Sequence, residues 1–168
     1  ASQDKQPVTE ETVPESTEPR DLFYEKAKAY NESLVKNGQD GMRSRADVES
    51  FALSALDFGY SENLIGTLEI PRMEIELGLY LGADGENMAK GAAVFGMTSL
   101  PLGGDSENTA IAGHRGWRGS PMFRDIQLLQ MDDPIYITTP WDTLTYRVCE
   151  IRIVTPEDNS WCRIQPGR

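Results

Sequence analysis

His114 is the only histidine in the 168-residue chain, and it closes the stretch Thr109-Ala110-Ile111-Ala112-Gly113-His114-Arg115-Gly116. Imidazole ordinarily titrates near neutrality, so a histidine at the end of a short apolar strand is placed to give and take protons. A hydrogen-bonded structural imidazole is the competing reading, and the local context alone leaves both open. Gly113 and Gly116 admit backbone conformations closed to other residues and let a neighbouring segment come close to the ring. That pattern reads as an exposed rim, not a packed interior. The two thiols are the other reactive groups. Cys149 lies in an alternating strand pattern and reads as a small buried hydrophobe, whereas Cys162, in a loop between Trp161 and Arg163, stays open as a reactive thiol. Two cysteines are too few for a disulfide framework and lack metal-ligand spacing, and one histidine adds little to them, so no metal site is expected. Trp117, in the turn after His114, is a candidate for lining a binding groove, with a half-buried structural role as the alternative. Arg115, beside His114, reads as a surface or structural residue, with a role as the site's cation as the alternative. Asp84-Gly85-Glu86 and Asp132-Asp133 supply too few convergent oxygens for calcium and read as solvated turns.

Composition narrows the classes further. Acidic residues outnumber basic ones 27 to 16, a formal net charge of -11, which argues against nucleic acid, since a phosphate backbone is held mainly by Lys and Arg. The same surplus disfavours adsorption to an anionic lipid surface. No run of about eighteen apolar residues occurs, and the start Ala1-Ser2-Gln3-Asp4 lacks the basic and apolar regions of a signal peptide.

Residues 1–19 combine Pro, Glu, Ser and Thr with almost nothing to bury, the composition of a flexible linker. From Arg20 a helical spacing of Leu22, Tyr24 or Glu25, Ala29 and Leu34 runs to a stop at Asn37-Gly38. A second amphipathic helix is expected over 47–56, with Val48, Phe51, Ala52 and Ala55 as its stripe. Strands follow at 67–70 and 75–81, a helical turn at 86–91, a short buried strand or the approach to one at 91–95, and a short strand at 109–112. Ser120-Pro121 offers a cap for a short helix over 122–129. Two last strands, 135–138 and 144–154, flank the Pro140-Trp141-Asp142 turn. Many short strands with few helices predict a mostly β fold with short helices, a small mixed β-barrel.

With these residues in view, the chain resembles the class C, or pilin, sortases of Gram-positive bacteria. The likeness runs from Ile65-Gly66-Thr67-Leu68-Glu69-Ile70-Pro71, through Thr98-Ser99-Leu100-Pro101-Leu102-Gly103-Gly104 and Ala112-Gly113-His114-Arg115-Gly116, to Ile164-Gln165-Pro166-Gly167-Arg168. Separated motifs in one order are more specific than any of them singly. The resemblance implies a sortase-type mixed β-barrel over 65–168, short of its last strands, preceded by two helices and a candidate lid over 20–64. It implies a cysteine transpeptidase that cleaves an LPXTG-like sorting signal between Thr and Gly and joins pilin subunits through a lysine isopeptide bond. His114 matches the family's catalytic histidine. The implied partners are pilin subunits bearing such a motif and a nucleophilic lysine, with no cofactor and no nucleic acid. The implied location is the extracellular face of the cell membrane, reached through a segment outside this chain.

The chain departs from the family pattern at two places. A Thr-Leu-x-Thr-Cys motif and an arginine are expected after the Pro-Gly segment and are not among these residues, and Ser160-Trp161-Cys162-Arg163-Ile164 does not supply that motif. The Asp-Pro-aromatic lid tripeptide is also absent: Asp133-Pro134 lies far past the lid region, and Asp57-Phe58 keeps the acid and the aromatic without the proline. Asp57 and Phe58 stand as lid candidates, and the polar, glycine-bearing stretch 37–45 has the character of a mobile cover's ends. Two further readings remain: a catalytically inactive sortase-like module that binds peptide or organises pilus assembly, and a hydrolase pairing Cys162 with His114.

Overall fold

The computed structural model describes residues 18–165, so the greater part of the linker expected over 1–19 and the last motif residues, 166–168, lie outside the described residues. Helix α1 (Pro19–Asn37) begins on proline, whose fixed φ suits a first turn, and ends on Gly38 in the left-handed region at φ 67°. Its buried face is Phe23, Ala27, Asn31 and Leu34. Leu22 and Ala29 point to solvent instead, because the ring of Phe23 fixes the helix's rotation. That ring is stacked on Phe58 at 4.6 Å and meets Trp141 edge-on at 5.0 Å, and burying it contributes about 1.5–3 kcal/mol.

Helix α2 is one short turn pair (Arg45–Glu49), opened by a capping box in which Ser44 and Asp47 exchange bonds. The longer helix expected over 47–56 does not form. The carbonyl of Val48, which would accept from Ala52 in a continuing helix, accepts instead from Gly96 and Ala83 at 3.0 and 3.3 Å. Tertiary pairing overrides the periodicity, and the chain passes through an extended stretch to a 3-10 turn over Ala55–Phe58.

The strands are β1 (Leu64–Ile70), β2 (Ile75–Leu81), β3 (Ala92–Val94), β4 (Ile111–Ala112), β5 (Pro134–Thr138) and β6 (Thr143–Arg147), with helix α3 (Gly85–Lys90) between β2 and β3. They form one sheet in the order β4-β3-β2-β1-β5-β6, antiparallel except where β2 meets β3. Residues of β1, β4, β5 and β6 line one common groove, so the sheet curls on itself as a half-barrel. Its interior is packed by Leu68, Ile70, Ile75, Leu79, Val94 and Ile137, all buried. Gly66 sits at the register shift of β1, and a side chain there would meet the Thr138 carbonyl at 1.8 Å, so only glycine permits the β1–β5 approach.

Two sequence expectations shorten here. The strand expected over 144–154 stops at Arg147, because its partner β5 begins at Pro134, the residue that pairs with Arg147. Beyond it the chain is irregular and largely exposed to residue 157. The helix expected over 122–129 is reduced to a 3-10 turn at Ile126–Leu128. The Phe123 amide is committed to the His114 carbonyl at 2.8 Å, and Met122 holds φ at +39°.

Candidate active site

The site is assembled where β4 ends. Two ladder residues, Ile111 and Ala112, pair with Val94 and Ala93 of β3, and the chain then leaves the sheet at Gly113. A Cβ at this position would stand 2.7 Å from the Phe123 ring. Phe123 therefore lies directly against the backbone, and its amide closes onto the His114 carbonyl at 2.8 Å. These contacts fix the exit of β4 and hence the position of the His114 side chain.

Past His114 the chain makes a tight hairpin. Trp117 and Ser120 exchange both backbone hydrogen bonds, at 2.9 and 2.8 Å. The two residues between them, Arg118 and Gly119, hold φ at 44° and 86°, the left-handed pair that a two-residue hairpin loop requires. The hairpin turns the indole of Trp117 onto the imidazole of His114, with ring centroids 4.5 Å apart and planes inclined by 12°. The Arg118 guanidinium lies 5.4 Å from the indole centroid. His114 and Trp117 are both half-buried. Arg115 points outward to Gln127 at 3.2 Å, in keeping with a surface cation.

Beside this point runs an apolar groove of about 710 Å³, lined by Leu68, Ile111, Phe123, Ile135, Ile137 and Leu144 among others. It separates the unpaired edge of β4 from the unpaired edge of β6, the two ends of the sheet among the described residues. Phe123 lines the groove and also holds the His114 backbone, which places the His114 main chain beside it.

The thiols stand opposite to their expected surroundings. Cys162 is buried with Met42 and Ala110 in a small second core, and burial pushes its thiol up to about 11. A buried thiol so raised is a poor nucleophile at neutral pH, which removes the basis for pairing Cys162 with His114. Cys149 is the exposed one, because the strand that was to bury it ends at Arg147 for want of a partner. The lid candidates sit apart in character. Phe58 stacks on Phe23 of α1, and Asp57 is exposed in the same 3-10 turn. Among the described residues no cluster of His, Cys, Asp and Glu is arranged to hold a metal. Asp84 instead caps α3 through the Asn87 amide, and Asp133 is held by Arg72.

Two polar residues that the sequence reading passes over tie the helical arm to the sheet. Asn31, on the apolar face of α1, donates to the Leu100 carbonyl at 2.9 Å and accepts from the Leu100 amide at 2.8 Å. Gln39, buried with φ at 57°, donates to the carbonyls of Met97 and Cys162 and accepts from the Ile164 amide. An amide set into an otherwise apolar helix stripe is the one signal that marks Asn31. Nothing local marks Gln39.

A family model described as the sortase domain matches residues 68–168. Sortase A of Bacillus anthracis is 29% identical over 111 residues, covering 66% of this chain and 50% of that protein. The chain spans about half the length of the curated relatives it matches. Among solved structures, the lid-mutant of Streptococcus agalactiae sortase C1 superposes with a TM-score of 0.77 at 24% identity, over 90% of this chain and 77% of that one. A mutant of sortase C-1 from S. pneumoniae superposes with a TM-score of 0.76 at 25% identity, over 93% and 78%. A curled sheet with one histidine at the end of its edge strand, a domain model covering most of it and these two likenesses agree: the chain belongs to the sortase family and carries the fold of its class C members.

Proposed function

We propose that these residues form the histidine-bearing part of a pilin-polymerising cysteine transpeptidase, acting on the extracellular face of the cell membrane. The observation that carries this reading is the position of His114 just past the end of β4, an end strand whose neighbour across the apolar groove is the other end strand, β6. The substrate in this reading is an extended sorting signal of the LPXTG type. The nucleophilic thiol and the arginine come from polypeptide other than the described residues, running between β4 and β6 and closing the barrel.

In the reaction, the thiolate attacks the threonine carbonyl carbon and the developing oxyanion is stabilised by the arginine. The C–N bond to glycine breaks, and the proton held on the His114 imidazole passes to the departing amine. A pilin lysine amine then attacks the thioester and gives its proton back to His114. The C–S bond breaks and the thiolate is restored. This reading attaches the protein to the membrane through a segment outside this chain; among the described residues no helix is long and apolar enough to cross a bilayer.

The test uses the full-length gene product with a sorting-signal peptide and a lysine-bearing pilin. His114→Ala is expected to lower the rate of ligation by about 10²- to 10⁴-fold, the range that a lost general acid–base group gives. Undiminished ligation by that variant overturns the assignment. A second reading, a sortase-like module that binds peptide without turnover, is favoured by the burial of Cys162. It predicts peptide binding by the full-length protein with no cleavage at all.

A further inference from the structure

The imidazole of His114 is held in an unusual manner. Among the described residues neither of its ring nitrogens has a hydrogen-bond partner, so no carboxylate or carbonyl sets its tilt, as happens at many acid–base histidines. The contact on its ring is the face of Trp117, nearly parallel at 4.5 Å. The indole is itself fixed on two sides. The hairpin Trp117–Ser120 clamps its backbone with a reciprocal pair of hydrogen bonds, and the Arg118 guanidinium lies within cation–π range of its ring. Arg118 adopts a left-handed φ of 44° to complete that hairpin, a conformation costly for a residue with a Cβ and kept only where the surroundings impose it.

We propose that Trp117 is a positioning residue: its indole, locked by the hairpin and by Arg118, sets the orientation of the His114 imidazole and leaves both ring nitrogens free for proton transfer. This rests on the function proposed above and assigns Trp117 to the orientation of the acid–base group. Stacking restrains rotation about the imidazole's side-chain torsions without occupying either nitrogen, whereas a hydrogen-bonded orienting group would consume one. A ring that drifts by a fraction of its own width loses alignment with the leaving amine, and such misplacement lowers the chemical step while leaving peptide binding intact.

The test compares full-length wild-type protein with Trp117→Phe and Trp117→Leu, folding being checked by thermal unfolding. Two readouts are taken. The ring-proton NMR signals of His114, assigned by their loss in His114→Gln, lie upfield in the wild type under the indole ring current and move downfield in Trp117→Leu. With a sorting peptide and an amine acceptor, Trp117→Leu lowers kcat by about 10- to 100-fold with KM nearly unchanged, and Trp117→Phe, which keeps an aromatic face, recovers most of it. Identical His114 signals in wild type and Trp117→Leu overturn the stack. A raised KM with kcat intact also overturns the proposal, making Trp117 a peptide-lining residue. The NMR readout needs no turnover, so a protein that shows the displaced signals yet cleaves no sorting peptide refutes the functional reading and not the stack.

Discussion

Withdrawal of the Cys162 sulfur from water disfavours its thiolate, and the small apolar cluster with Met42 and Ala110 offers no compensating cation strong enough to restore it. Cys149, on the irregular stretch after β6, is open to reagents. With a thiol-specific alkylating agent at neutral pH, mapped by peptide mass, Cys149 is expected to be modified at least tenfold faster than Cys162, as exposure and thiolate fraction govern the rate. Comparable labelling of both in the folded protein would contradict the burial of Cys162. The sequence makes His114 legible as the sole imidazole, with glycines marking a close approach, and the clash that Phe123 would have with a side chain at residue 113 accounts for one of them. The contact with Trp117 is not legible, because it depends on a hairpin whose first loop residue is an arginine held at positive φ, where glycine or asparagine would have been the ordinary signal. Alternation around Cys149 misleads for a simple reason: a strand pattern buries a residue only where a partner strand continues alongside.

Among the elements, the join between the β1–β2 turn and the start of β5 carries the best-formed ion pair. Arg72 donates from Nε and Nη2 to the two carboxylate oxygens of Asp133, both at 2.8 Å, and the Gln130 amide adds a third bond at 2.8 Å. The Arg72 hydrogen bond, with the Gln130 amide behind it, holds the Asp133 carboxyl below the usual carboxylate range. A depressed folded pKa means that the pair stabilises the fold above the unfolded value, near 3.9, and that this contribution is lost as pH falls through the lower folded value. Thermal unfolding followed from neutral to acidic pH should therefore show Asp133→Asn lowering Tm at neutral pH, with the difference from wild type shrinking toward pH 2. A constant difference across that range would count against the ion pair as its source. β1 and β2 are legible in the sequence because their alternation acts locally, and the helical turn expected over 86–91 falls on α3, whose cap Asp84 reads in the sequence only as part of a solvated turn. Helix α2, β6 and the 122–129 segment are misjudged where distant groups take backbone partners: Gly96 and Ala83 claim the Val48 carbonyl, β5 runs out at Pro134, and the His114 carbonyl claims the Phe123 amide. No window of neighbouring residues contains those competitors.

At the scale of the whole molecule, the mostly β character and the helical arm at its start are readable from strand spacing and from the stop at Gly38, and the resemblance to pilin sortases singles out His114 as the candidate. What spacing could not supply is the half-barrel's closure geometry: both free edges and the groove between them arise from a strand order, β4-β3-β2-β1-β5-β6, in which sequence neighbours are not always sheet neighbours. That geometry makes the central claim testable in one step, namely that His114 serves a thiol brought into the groove by polypeptide other than Cys149 and Cys162. Full-length protein is mixed with a sorting-signal peptide in the absence of an amine acceptor, quenched in acid, and the acyl adduct located by peptide mass. The account predicts an adduct on a third cysteine, forming far more slowly in His114→Ala. An adduct on Cys149 or Cys162, or one that forms at the wild-type rate without the imidazole, would contradict it.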